Sequence, residues 1–387
     1  MPAPSIAVPG SRWAAAAAAA AVAATLAIPP ASAEPEPASA NVYRFAGDDR
    51  VETALDLANP DALYYQPSTA VLATGDNPAD ALAVTPVAAH HGAPVLLTRS
   101  NAGIEPDLGR FVTRDLLPNT KFEEPLFSVS QIEIVGGPNA VPFSIENSVR
   151  QLDDDAYASR TYGDNRYETA YEVYEELGRA GYGVPWSDTA LVVASDPASP
   201  DTGWPDALSA ANLISGKDEV PPIVLTQESH LPPASEALLD SPGIDHATIL
   251  GSPLVIDAVA EGQIGSHVDS TSRLQGPDRY ATNMETVRYA AQQPDVITDE
   301  VFVTTGEDWP DGLTAAAAAA HFDGILLLID GHDAQRSSEA LAWLAETQPR
   351  NVYIVGGPSA VSEGMESLIE AAAGGETLFF PMGADER

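Results

Sequence analysis

Six arginines stand in three matched pairs, and guanidiniums at a fixed spacing are suited to gripping carboxylate or phosphate through paired N–H donors. Arg44 and Arg50, Arg160 and Arg166, and Arg273 and Arg279 each enclose a glycine in the pattern R-x-x-G-x-x-R-[YV]-x-T. The chain holds only 18 Lys and Arg against 56 Asp and Glu, so six cations at repeated positions imply a dedicated partner for each guanidinium. Two partners fit the chemistry. One is a carboxylate of the protein itself, within or between repeats, with Asp80, Asp206 and Asp311 as candidate mates. The other is an anionic polymer, whose phosphate or carboxylate groups would meet three equivalent sites.

Other chemistries find little support in the residues. With no cysteine, disulfides, thiol catalysis and cysteine-bound metals are excluded. The seven histidines form no H-x-x-x-H or H-x-H pair, so no metal site is expected. His90-His91 and His321 fall at the ends of corresponding helices, where they complement the helix dipole. Gly136-Gly137-Pro138 and Gly356-Gly357-Pro358 read as tight turns after strands. They lack the Lys-Ser/Thr of a phosphate loop and the G-x-G-x-x-G of a dinucleotide fold, so no nucleotide or other cofactor is expected. Calcium held loosely by surface carboxylates is the one cation anticipated. No nucleophile elbow or repeated acid pair appears, and a non-enzyme is expected.

The elements that must position these residues recur with them. The three arginine motifs start 116 and 113 residues apart, a domain-sized period. Each is followed by a Pro/Asp turn at Asp80, Asp206 or Asp311, whose carboxylate is suited to capping an Ala/Leu-rich helix. Next comes an aliphatic run: Val95-Leu96-Leu97, Ile223-Val224-Leu225 and Ile325-Leu326-Leu327. Last is a strand that closes on glycine at 136–137, 251 and 356–357. In the first copy, strands are expected at 43–45, 70–74, 94–98 and 131–135, with helices over 51–57, 81–91, 106–116 and 144–152. Uniformly apolar strands alternating with helices argue for α/β: three tandem small parallel-sheet modules, one sheet to each, packed with pseudo-threefold symmetry. The repeats are assigned to residues 41–156, 157–269 and 270–373. The second is degenerate, with Gly251-Ser252 for the glycine pair and an insertion at 196–203. Residues 374–387 are read as a tail.

Residues 1–33 carry Arg12, an apolar run over 13–28 and Ala31-Ser32-Ala33, the pattern of a cleaved secretory signal. An acidic, proline-rich leader follows at 34–40. The apolar run is short for a membrane span, so no stable span is expected after cleavage. A net charge of −38 argues against nucleic acid and describes a solvated acidic surface.

The ordered landmarks resemble the type 2 cell-wall-binding repeat, which occurs in threes in exported proteins of Gram-positive bacteria, including surface-layer proteins. The resemblance spans 41–373. It implies a triangular arrangement of three α/β modules that hold a secreted protein non-covalently to a secondary cell-wall polymer, an anionic polysaccharide. It also implies that the family's I-L-L motif, here the three aliphatic triplets, takes part in attachment. Two rival readings remain: a soluble extracellular binder of cations or small ligands, and a secreted hydrolase of wall glycan or peptide.

Overall fold

The computed structural model describes residues 40–59, 69–99, 108–109, 131–152, 157–195, 203–374 and 376–378. The expected signal, nearly all of the leader, most of the 106–116 helix, nearly all of the insertion and most of the tail lie outside these residues.

The first repeat runs β1 (Asn41–Phe45), α1 (Arg50–Leu57), β2 (Thr69–Thr74), α2 (Ala79–His91), β3 (Val95–Thr98), β4 (Gln131–Val135) and α3 (Phe143–Leu152). The second runs β5 (Tyr157–Thr161), α4 (Arg166–Glu172) widening into a π-helix over Val173–Tyr182, β6 (Thr189–Ala194), α5 (Trp204–Leu208), α6 (Ala211–Ile214), β7 (Ile223–Thr226), α7 (Pro233–Leu239), β8 (His246–Leu250) and α8 (Ala258–Ile264). The third runs β9 (Ser270–Leu274), α9 (Arg279–Ala290), β10 (Glu300–Thr305), α10 (Trp309–His321), β11 (Ile325–Ile329), α11 (Ser338–Thr347), β12 (Asn351–Val355), α12 (Glu363–Ala373) and β13 (Glu376–Leu378).

All strands pair in parallel, in the orders β3-β2-β4-β5, β7-β6-β8-β9 and β11-β10-β12-β1-β13. Here the structure corrects the expectation of one self-contained sheet per repeat. The opening strand of each repeat completes the sheet of the repeat before it: β5 lies on β4, β9 on β8, and β1 returns to β12 with Phe45 opposite Val355. The described repeats therefore close into a ring.

Packing explains the closure. Helix α2 is buried at every position from Ala81 to Ala89, and α10 at every position from Gly312 to Ala320. A helix apolar on all sides needs neighbours on all sides. With α5 and α6 these helices share one central core drawn from all three repeats, while three separate cores cover the outer sheet faces. The second repeat keeps the sheet, but its central helix is split into α5 and α6. Asn212 on α6 uses the split: its amide donates to the Leu326 carbonyl (2.9 Å) and its oxygen accepts from the Leu326 N–H (2.7 Å). That pairing satisfies the backbone at the edge of β11 from a neighbouring repeat.

The register of β11 also revises the aliphatic alignment. Val71 pairs with Val95 and Phe302 with Leu326, and Val71 and Phe302 occupy equivalent places in their sheets, facing the central core. The third-repeat counterpart of Val95-Leu96-Leu97 is thus Leu326-Leu327-Leu328, one residue beyond Ile325-Leu326-Leu327. A one-residue slip moves each side chain to the opposite face.

Candidate functional site

In an open α/β sheet, ligands usually enter the crevice beyond the strands' C-terminal ends. Here that crevice is the junction between consecutive repeats, and the three junctions are built alike. The residue before each second arginine, Asp49, Asn165 or Asp278, caps the following helix by accepting its first amide protons. Thr53, Thr169 and Thr282 then accept the N–H of Gly47, Gly163 and Gly276 at 3.1–3.2 Å. A Cβ on Gly47 would come within 2.1 Å of the Glu52 Cβ, so the motif's glycine is required by close approach.

The first arginines bind backwards, to the preceding repeat. Arg44 donates to the carbonyls of Gly356 (2.6 Å) and Val361 (3.0 Å) and to Glu366 (2.9 Å). Arg160 donates to the Gly136 carbonyl (2.7 Å) and Glu146 (2.6 Å), with Phe143 beneath its guanidinium. Arg273 donates to the carbonyls of Gly251 (2.6 Å) and Ile256 (3.0 Å) and to Glu261 (2.9 Å). The three side chains are 5–10% exposed. Burial pushes Glu146 up, yet hydrogen bonds from Arg160 and Arg150 outweigh it and leave its carboxyl below the ordinary value.

The second arginines bind within their own repeat, capping the central strand. Arg50 donates to the Gly75 carbonyl, Arg166 to the Ser195 hydroxyl (3.1 Å) and Arg279 to the Gly306 carbonyl.

The aspartates reach forwards. Asp80 bonds Thr169 with Arg166 nearby, Asp206 bonds Thr282 with Arg279 nearby, and Asp311 bonds Thr53 with Arg50 nearby. None caps its helix as the sequence suggested. Pro78, Gly203 and Asp308 hold the cap positions, and the aspartates sit within the first turn. They face the glycine turns instead: a Cβ on Gly136, Gly251 or Gly356 would stand 2.6–2.8 Å from the carboxylate of Asp80, Asp206 or Asp311. Those glycines also have φ of 109–121°, which disfavours other residues. Gly137 and Gly357 follow without positive φ. Burial pushes Asp206 and Asp311 up to about 6 and raises Asp80 as well.

Sequence reasoning named the arginines and aspartates but gave the first arginines the wrong acid. Their partners, Glu146, Glu261 and Glu366, each stand ten residues after Gly136, Gly251 or Gly356. That spacing was a signal available in the sequence. The aliphatic triplets are core: every residue of Val95-Leu96-Leu97, Ile223-Val224-Leu225 and Ile325-Leu326-Leu327 is at most 3% exposed. The described residues contain no cluster of three metal-ligating side chains and no helix long and apolar enough to cross a membrane.

A profile described as Cell wall binding domain 2 (CWB2) matches residues 44–146, 160–261 and 273–366. The chain is similar to the N-acetylmuramoyl-L-alanine amidase LytC of Bacillus subtilis (strain 168), 24% identical over 351 residues, which are 89% of this chain and 61% of that protein. It is also similar to the Amidase enhancer of the same organism, 26% identical over 331 residues, covering 84% of this chain and 40% of that one. It thus spans less than two thirds of either relative. Solved structures of similar fold include Cwp6 from Clostridium difficile, with TM-score 0.70 and 21% identity over 88% of this chain and 48% of that one. Cwp8 from Clostridium difficile gives TM-score 0.68 and 20% identity over 87% and 52%.

Proposed function

The chain belongs to the Cell wall binding domain 2 family, and from that membership we propose that it is exported and attaches non-covalently to a secondary wall polymer, an anionic polysaccharide. Wall binding is the property of its repeats. The observation that carries the proposal is the match of all three tandem regions to a binding domain, over most of the chain. We assign it binding rather than hydrolysis, since the junction carboxylates are engaged by threonine and arginine.

A net charge of −38 opposes an anionic partner, so attachment through loosely bound divalent cations or at high ionic strength belongs to the proposal. The six junction arginines and the aliphatic triplets remain candidates for attachment only if the polymer reaches groups that this fold keeps covered.

The test is co-sedimentation of the chain with purified Gram-positive walls, before and after acid extraction of their secondary polymers, across salt and calcium. Retention that disappears on extraction is expected. Equal retention on extracted walls, or none under any condition, overturns the proposal.

A further inference from the structure

Two aromatic rings lie open at the junction of the first and second repeats, where Phe143 is 53% and Tyr162 42% exposed. They flank one turn. Tyr162, just beyond β5, packs on Gly137, where a Cβ would meet its Cδ2 at 3.3 Å. Phe143 opens α3, and the Arg160 guanidinium stands over its ring, 5.2 Å from the centroid. Arg160 is itself bonded to the Gly136 carbonyl and to Glu146. The guanidinium covers one face of the Phe143 ring and leaves the other to solvent. Each ring is thus seated on a fixed neighbour, with little orientational freedom left to lose on binding.

The fold does not call for these rings. The positions equivalent to Phe143, seven residues after the first glycine of the turn, are Ala258 and Glu363, and those equivalent to Tyr162 are Gln275 and Ala46. The other two junctions therefore close with no aromatic residue at either place. Charge differs as well. Residues 137–145 carry no charged side chain, whereas the counterparts at 252–260 and 357–365 contain Asp257 and Glu363. In a chain of net charge −38, an exposed aromatic pair on an uncharged stretch suits a partner that is apolar on one face.

A pyranose has such a face. Its C–H bonds are electropositive and meet the negative face of an aromatic ring, while its hydroxyl rim bonds polar groups or water. Asn139 in the turn and Asp164 beyond Tyr162 are exposed and available to that rim, and the Asp164 carboxylate opposes an anionic sugar there. A second copy of the chain fits less well. Even fully buried, two such rings cover about 300–500 Å², below the roughly 800 Å² per partner of a stable protein interface. We propose that Phe143 and Tyr162 form a stacking platform for uncharged pyranose rings of the wall polymer, so that attachment is strongest at this junction and is not threefold. The choice of polymer rests on the wall-binding reading.

The test measures calorimetrically the affinity of the full chain for the polysaccharide that acid extraction releases from purified Gram-positive walls, beside co-sedimentation with the intact walls. Tyr162→Ala and Phe143→Ala are each expected to weaken binding about fivefold or more, and Tyr162→Phe to hold it within about twofold, because the ring stacks and the hydroxyl does not. Leu254→Ala, which truncates an 87% exposed side chain of the second repeat, is expected to leave affinity unchanged. Melting temperatures establish that each variant is folded at the titration temperature. The proposal is overturned if the released polysaccharide does not bind, if Tyr162→Ala binds as wild type does, or if Tyr162→Phe or Leu254→Ala loses as much as Tyr162→Ala. Self-association that Tyr162→Ala abolishes, with polysaccharide affinity unchanged, makes a second copy the occupant and overturns it too. Wall retention that neither alanine variant weakens removes this inference and leaves the wall reading intact. Ring-dependent binding of the released polysaccharide without retention on intact walls does the reverse.

Discussion

Thr53 donates its hydroxyl to Asp311, joining the first repeat to the third. The same hydroxyl oxygen accepts the Gly47 N–H at 3.1 Å, so the opening motif of one repeat is held by the central helix of another. Thr169 with Asp80 and Thr282 with Asp206 repeat the relationship at the other junctions. While each aspartate reaches forward, Arg44, Arg160 and Arg273 reach backward. The motif that recurs along the sequence is therefore the protein's means of recognising its own next repeat.

This arrangement makes stability depend on pH. Burial raises Asp206 and Asp311 from 3.8 to about 6, so the folded chain holds those protons more tightly than the unfolded one. Their contribution is greatest at low pH and is lost as pH rises through 3.8 to 6, on the order of 3 kcal/mol each over the whole window. His91 and His321, lowered by burial, act oppositely: the unfolded chain protonates first below 6.5, so stability falls as pH drops there. Comparison with Asp311→Asn isolates the carboxylate. Denaturant unfolding should find wild type more stable relative to this variant at pH 5 than at pH 7.5, by about 1–2 kcal/mol. A difference that does not change with pH contradicts the raised carboxyl.

Removing a first arginine should cost more than removing an ordinary surface charge. Arg44→Ala strands Glu366, which is 13% exposed, together with the carbonyls of Gly356 and Val361. Breaking such a buried pair costs about 3–5 kcal/mol. Arg273→Ala should cost less, because Glu261 is 38% exposed and can be hydrated. Urea unfolding of the two variants checks the order, and equal losses would contradict it.

Much of this was legible in the residues, and what was missed has a physical cause. Uniform burial of β2 and the alternation of strand and helix gave the α/β class, because a parallel sheet covered on both faces has an unbroken apolar sequence. The exchange of β1, β5 and β9 was hidden, since a repeat in sequence marks equivalence and says nothing of which copy a strand joins. Arg44 and Glu366 are neighbours only once the ring closes. Glu146 and Glu261, although 14 and 12 residues from Arg160 and Arg273, belong to the preceding repeat. The recurring Pro/Asp turns lie in each arginine's own repeat and were the mistaken choice. The one-residue misalignment at Ile325 arose because Ile325–Ile329 is apolar throughout and offers no alternation to fix a register.

Glycines divide sharply by their surroundings. Gly262, inside α8, has open space where a Cβ would go, so Gly262→Ala should stabilise the chain by about 0.5–1 kcal/mol. Gly136→Ala meets both a φ of 113° and the Asp80 carboxylate at 2.8 Å. It should destabilise the protein by about 2 kcal/mol or more. Thermal melts of the two variants in one buffer provide the comparison, and a shift of the same sign in both would contradict the assignment.

Deletion of a whole repeat should unfold the chain instead of weakening attachment by one third. Helix α10 is buried against helices of both other repeats, and each sheet depends on a strand from its neighbour. Removing residues 157–269 would take β5 from the first sheet and expose α2 and α10, whose apolar sides have no alternative cover. Circular dichroism and hydrogen exchange of that deletion should show loss of cooperative folding throughout, including the third repeat. If the remaining two repeats melt cooperatively near the wild-type temperature, the shared core is not what holds the molecule together. The consequence for function is direct: avidity among the repeats has to be measured with single substitutions in the intact ring, because a truncated chain would lose wall retention through unfolding alone.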